Sequence, residues 1–112
     1  MTSIAEAKVA TAHAQKYAAQ LGKHWAHNLD VREDGPARMI TFPKDARGAD
    51  WKGDALVTLQ PEPQGLLIRI EASEEGQRDG LKGALERHVD RFAFRETPLA
   101  YDWQDLSNGE KA

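Results

Sequence analysis

The chain has 112 residues, 40% of them apolar and 29% charged, the composition of one globular domain of ordinary hydrophobicity. A chain of this length buries roughly two-thirds of its unfolded surface, which suffices for one core shared by a sheet and a few helices and excludes two domains. With 15 Lys and Arg against 18 Asp and Glu the net charge is -3, so neither nucleic acid nor an anionic membrane is expected as a partner.

Residues 4–11 alternate, with Ala5, Ala7 and Val9 on one side and Glu6 and Lys8 on the other, as a half-buried strand does. Thr11 offers a capping hydroxyl to a helix over residues 12–28. At about 100° per residue Ala14, Tyr17, Ala18, Leu21 and Trp25 share its apolar face, while Lys16, Ala19 and Lys23 point away. Gly22 weakens that helix by about 1 kcal/mol relative to Ala. From Leu29 the period changes to two, and the turn residues Asp34-Gly35-Pro36 predict a hairpin returning through residues 37–42 before Pro43.

Residues 44–53 carry two Gly and several charges and read as an exposed loop in which Trp51 is the anomaly. Alternation returns over residues 54–60 and 66–72, separated by Pro61-Glu62-Pro63-Gln64-Gly65, which predicts two more strands. A second helix is predicted over residues 77–95, with Leu81, Ala84, Leu85, His88, Val89 and Phe92 on one side. After Pro98, Leu99, Tyr101 and Trp103 alternate as a last edge strand. The expected unit is a single α+β domain over residues 3–104, with residues 105–112 a disordered tail.

The order β-α-β-β-β-β-α-β with short turns implies an antiparallel sheet of five or six strands with both helices on one face. Glu6, Lys8, Arg32, Thr58, Arg69 and Glu71 then fall on the other face, which is solvated if it is as polar as these residues suggest and an oligomer contact if it is less so. The absence of cysteine excludes disulfides, thiolate metal sites and cysteine nucleophiles, and fits a reducing cytoplasm. Apolar runs such as Leu66-Leu67-Ile68 fall far short of the ~20 residues that span a bilayer. Residues 1–6 lack a basic region followed by an apolar stretch, so no signal peptide or membrane anchor is expected.

No glycine-rich phosphate loop and no Gly-x-Ser-x-Gly elbow occurs, and no catalytic residue is assigned. The acidic positions Glu33-Asp34, Glu62 and Glu74-Glu75 stand beside Gly or Pro in turns and read as solvated charges. His13, Gln20, His24 and His27 form a stripe along one edge of the first helix. His13 lies about 16 Å from His24 by helical rise, too far to share an ion, whereas His24 and His27 are three apart. If the helices pack side by side, His88 approaches His24, and His24, His27 and His88 would make a site for a divalent metal such as zinc, copper or ferrous iron. The plainer reading makes His88 a buried core residue hydrogen-bonded to a carbonyl, to Tyr17 or to His24.

Arg87, Arg91 and Arg95 recur every four residues and line one side of the second helix, where they can hold an anion or form a solvated face paired with Asp90, Glu86 or Glu96. Trp25 and Trp103 read as core, leaving Trp51 as the aromatic residue suited to binding.

The string Thr11-Ala12-His13-Ala14, then Tyr17, Leu21 and Lys23-His24-Trp25-Ala26-His27, and later His88-Val89-Asp90-Arg91-Phe92-Ala93-Phe94-Arg95-Glu96 with Leu99 and Trp103, resembles a bacterial family, the domain of unknown function numbered 2218. The resemblance implies a small cytoplasmic one-domain protein, some of whose relatives are associated with iron or siderophore handling, and it brings no catalytic residues. Asn28 departs from the basic residue expected after the second His of that motif. Two functions follow as expectations. One is a non-catalytic binding module taking a small anionic ligand or partner segment in a groove between the helices, with His24, His27, Arg91 and Arg95 at its rim and Trp51 as a further contact. The other is a metal-binding protein using His24, His27 and His88.

Overall fold

The computed structural model describes residues 3–96 and 99–107. Its elements are β1 (Ser3–Ala10), α1 (Ala14–Trp25), β2 (Asp30–Asp34), β3 (Ala37–Phe42), a short 3-10 turn (Ala46–Gly48), β4 (Ala55–Glu62), β5 (Gly65–Ala72), α2 (Glu75–Phe92) and β6 (Gln104–Ser107). The six strands form one antiparallel sheet in the order β2-β3-β4-β5-β1-β6, which is the expected α+β class and element order.

Strand periodicity explains where the core sits. Ala5, Ala7 and Val9 of β1, Ile40 of β3, Val57 and Leu59 of β4, and Leu66, Ile68 and Ile70 of β5 are buried under the two helices. The α1 face read from the sequence, Ala14, Tyr17, Ala18, Leu21 and Trp25, is buried throughout. Leu85 and Val89 do the same for α2. Gly22 now has a packing reason. A Cβ there would lie 3.1 Å from the Arg38 side chain, so the glycine leaves room for that side chain between helix and sheet.

The face away from the helices carries Glu6, Lys8, Arg32, Thr58, Arg69 and Glu71, as the alternation required. Arg69 bonds Glu6 across the β1–β5 pair and approaches Glu71 at 3.3 Å. Ile4, Met39, Leu56 and Leu67 share this face, so it is more mixed than its charged residues alone suggest.

Four local readings change. Thr11 does not cap α1. The residue preceding the helix is His13, without a side-chain cap, and the Thr11 hydroxyl accepts from the His13 N–H at 3.1 Å while donating elsewhere. The charged loop is docked rather than free, because the Trp51 ring lies over Gly76 in the first turn of α2, where an added Cβ would meet it at 3.1 Å. Gln77 reaches back to the Ser73 N–H at 2.7 Å and donates to the Gly53 carbonyl at 2.9 Å, tying that loop to the helix start.

The third change concerns Leu99, Tyr101 and Trp103. They precede a strand rather than forming one, and the alternation serves a different partner. Two residues of extended chain advance about 6.6 Å and four residues of helix about 6.0 Å, so alternate side chains meet successive turns of α2. Accordingly Tyr101 donates to Asp90 at 2.8 Å, Trp103 to Glu86 at 2.7 Å, and Lys82 donates to Asp105 at 2.6 Å.

That last contact moves the expected tail boundary. Asp105, Leu106 and Ser107 pair with β1 in β6, because the Asp105 carboxylate meets Lys82 and also Arg78, at 3.5 Å. The remainder of the expected tail, residues 108–112, lies outside the described residues.

The closest backbone approach is at Gly65, opposite Ala10, where an added Cβ would stand 2.2 Å from the Val9 carbonyl oxygen. Because the obstacle is backbone, relief requires β1 and β5 to separate. Gly65→Ala is expected to destabilise the fold by about 1–3 kcal/mol, read as a melting temperature lower by roughly 5 °C or more. An unchanged melting temperature would contradict this packing.

Candidate functional site

Where α1 runs alongside the end of α2 and the turn that follows it, a cavity of about 500 Å³ opens between them. His13, Lys16, Tyr17 and Gln20 line it from α1 and its first turn, and Arg91, Phe92, Phe94, Arg95 and Glu96 from the other side. The stripe at i, i+3, i+4 and i+7 on α1 faces the cavity because the same helix turns Ala14, Ala18 and Leu21 to the sheet. The α2 side exists because the helix stops at Phe92, after which Ala93 is buried and the chain turns through Glu96.

Glu96 holds this turn against α1. Its carboxylate accepts a short bond from the Tyr17 hydroxyl and one from the Thr11 hydroxyl, 2.9 Å from each oxygen. The Tyr17 bond, followed by that of Thr11, keeps the Glu96 carboxyl below its ordinary range against the opposing effect of burial. Tyr17 is shifted the other way, upward, by its own burial and by the carboxylate it serves.

The cations of the cavity are therefore left unmatched. Glu96 is the one carboxylate on the described lining and it is turned to hydroxyls, while Lys16, Arg91 and Arg95 make no ion pair with any described residue. Arg95 instead lies over the Phe94 ring, 5.6 Å from its centroid. Phe94 is 66% exposed, unusual for a large apolar side chain. Gln20 lines the cavity, and its Oε1, shut off from solvent, has no hydrogen-bond partner among the described residues.

The expected site residues separate into three places. Arg91 and Arg95 line the cavity. His24 and His27, expected at its rim, are not on its wall; His24 stands beyond Phe92, 5.9 Å between ring centroids. There it adjoins His88 at 5.4 Å, which in turn lies 5.0 Å from Trp25. Trp51 sits far along α2, over Gly76. The half-buried His88 is bonded through Nδ1 to the Ala84 carbonyl of its own helix at 2.7 Å, not to Tyr17, whose hydroxyl is taken by Glu96. Among the described residues no group of three His, Cys, Asp or Glu is placed to hold a metal ion, so His24, His27 and His88 do not form the expected ligand set.

Sequence reading placed His13 and Gln20 on one stripe of α1 but missed Lys16, Tyr17, Phe94 and Glu96 as parts of the same site. Lys16 does point away from the sheet, as its phase on the helix required, yet that direction is the cavity. The available signal was the polar stripe of α1 taken together with Glu96, whose use depends on a contact 79 residues away in sequence.

His24 is exposed, yet partial desolvation of its ring, followed by the charges of His88, Arg91 and His27, pushes it below its ordinary value near 6.5. Above that value the ring is neutral in both folded and unfolded chains. As pH falls below it, the unfolded chain takes up a proton that the folded one resists, so stability declines until the folded value is passed. Melting curves from pH 8 to pH 5 are expected to show this loss, and His24→Gln to flatten it. An equally steep decline in the variant would refute the assignment to His24.

Residues 6–104 match the family described as uncharacterised protein conserved in bacteria, DUF2218. No curated protein matches the chain. A Pseudomonas aeruginosa protein, PA4090, solved by NMR, is similar in fold, with a TM-score of 0.60 and 23% identity over 92% of this chain and 94% of that one. With the match spanning β1 to the start of β6, the chain belongs to the bacterial DUF2218 family.

Proposed function

We propose that this protein is a non-catalytic binding module whose groove between the helices takes a small organic anion. The observation that carries the reading is the set of cations, Lys16, Arg91 and Arg95, that converge on one cavity without an ion-pair partner among the described residues. Charges held this way repel one another, and a bound anion relieves that repulsion. A volume of about 500 Å³ suits a small molecule and is tight for a folded partner segment. The two arginines offer planar, forked donors matched to a carboxylate or phosphate. On the described lining the Tyr17 hydroxyl meets the Glu96 carboxylate, but burial and that carboxylate hold its pKa above the ordinary value, so it is not an activated nucleophile and the lining favours binding over chemistry.

Carriage of a metal linked to iron, through His24, His27 and His88, has less behind it, since the three do not form a ligand group. Free of cysteine, and with no described helix long and apolar enough to cross a membrane, the chain is read as working in the cytoplasm.

Titration of the protein with a panel of small carboxylates and phosphate esters, followed by NMR shifts or calorimetry, tests the reading. Binding is expected to move resonances of Lys16 and the residue 91–96 segment. The double variant Arg91→Ala, Arg95→Ala is expected to weaken it at least tenfold, about 1.4 kcal/mol or more, with little change in melting temperature because both side chains are exposed. No binding by any member of the panel, or undiminished binding by the double variant, would overturn it.

A further inference from the structure

Resting on the anion-binding reading above, we infer that the occupant of the groove is a planar aromatic acid carrying an N–H or O–H donor. Inorganic phosphate would satisfy the cations and leave most of the roughly 500 Å³ unfilled. What the cavity offers besides charge is ring surface. Phe92 and Phe94 contribute apolar walls, Phe94 with an exposure of 66% that burial by a ring would remove. The Arg95 guanidinium over Phe94 extends that platform with a flat cation, which stacks on aromatic faces and pairs with an anion at its edge. An aliphatic acid gains the charge contacts and the area alone, whereas an aromatic one adds the ring-to-ring and cation-to-ring terms.

Gln20 calls for the donor. Gln20 lines the cavity, but its Oε1 is turned out of reach of solvent and is unpaired there, a state that costs free energy in the empty protein. The last torsion of a glutamine side chain is soft, so the carboxamide can turn to accept from a donor placed in the groove. Glu96 cannot play that part, since Tyr17 and Thr11 already occupy its oxygens.

The test uses the whole chain with four probes: indole-3-acetate, 1-naphthaleneacetate, cyclohexaneacetate and inorganic phosphate. The first two are close in shape and differ in the ring N–H. Calorimetry is expected to give 1-naphthaleneacetate about fivefold tighter binding than cyclohexaneacetate, from the aromatic contacts. Indole-3-acetate should bind about tenfold tighter again, from one hydrogen bond to an otherwise unsatisfied acceptor. Gln20→Met should erase the margin of indole over naphthalene and leave 1-naphthaleneacetate unchanged, which also shows that the variant is folded. Equal affinities for the aromatic and cyclohexyl acids, phosphate binding as tight as the acids, or an indole margin that survives Gln20→Met would each overturn the aromatic-acid assignment while leaving the anion groove standing. Failure of all four probes to bind would count against both.

Discussion

Much of the molecule's functional end hangs on one carboxylate. Glu96 lies just past the end of α2, yet it accepts from Tyr17 in the second turn of α1 and from Thr11 in the link between β1 and α1. The turn after α2 is thereby fixed against α1 and the link that precedes it, and the space left between α1 and that turn is the cavity. A hydroxyl donating to a carboxylate is stronger than a neutral pair, and here both donors sit on buried residues whose own hydrogen bonding is satisfied in the same step. The turn after α2 has little else to hold it, since Ala93 is buried but the large Phe94 ring is exposed.

The same arrangement decides the electrostatics. Had Glu96 paired with Arg91, as their spacing on one side of the chain first suggests, one of the three cations would be taken up within the protein. Because its oxygens are turned to hydroxyls, Arg91, Arg95 and Lys16 keep their charge for something else. Elsewhere the fold does neutralise its partly buried cations: Arg78 meets Asp79 and Asp105, Lys82 meets the same two carboxylates, and Arg69 meets Glu6 and Glu71. Lys16, Arg91 and Arg95 are exposed instead, and what distinguishes them is that they share one opening. Beyond Phe92, the charge of Arg91 acts on His24, so the acid-sensitive ring and the cavity meet at one residue.

Where local periodicity and tertiary packing ask for the same thing, the sequence was legible. The α1 face from Ala14 to Trp25, the alternating β4 and β5, and the hairpin turning at Gly35, whose φ of +60° suits glycine, all stand as read. Reading failed where a local pattern served a distant partner. Alternation at Tyr101 and Trp103 signalled extended chain correctly, but its hydrogen bonds go to Asp90 and Glu86 on α2 rather than to a strand. Asp105 looked like the start of a polar tail until Arg78 and Lys82 supplied its counter-charges. Trp51 looked available in a charged loop because nothing nearby in sequence reveals Gly76 as its seat. At the site, the arginines were visible from their spacing of four. Lys16 and Glu96 were not, since their roles arise only when α1 and the turn after α2 are brought together.

Glu96 and Tyr17 form the clamp that shapes the groove, and a double-mutant cycle gives the strength of that clamp. Denaturant unfolding of the wild type, Tyr17→Phe, Glu96→Gln and the double variant gives the coupling between the two side chains free of their separate effects. A charge-assisted bond between partly buried partners predicts a favourable coupling of about 1 kcal/mol or more. Additivity within about 0.3–0.5 kcal/mol would mean that the two groups do not hold each other, and that the groove has some other support.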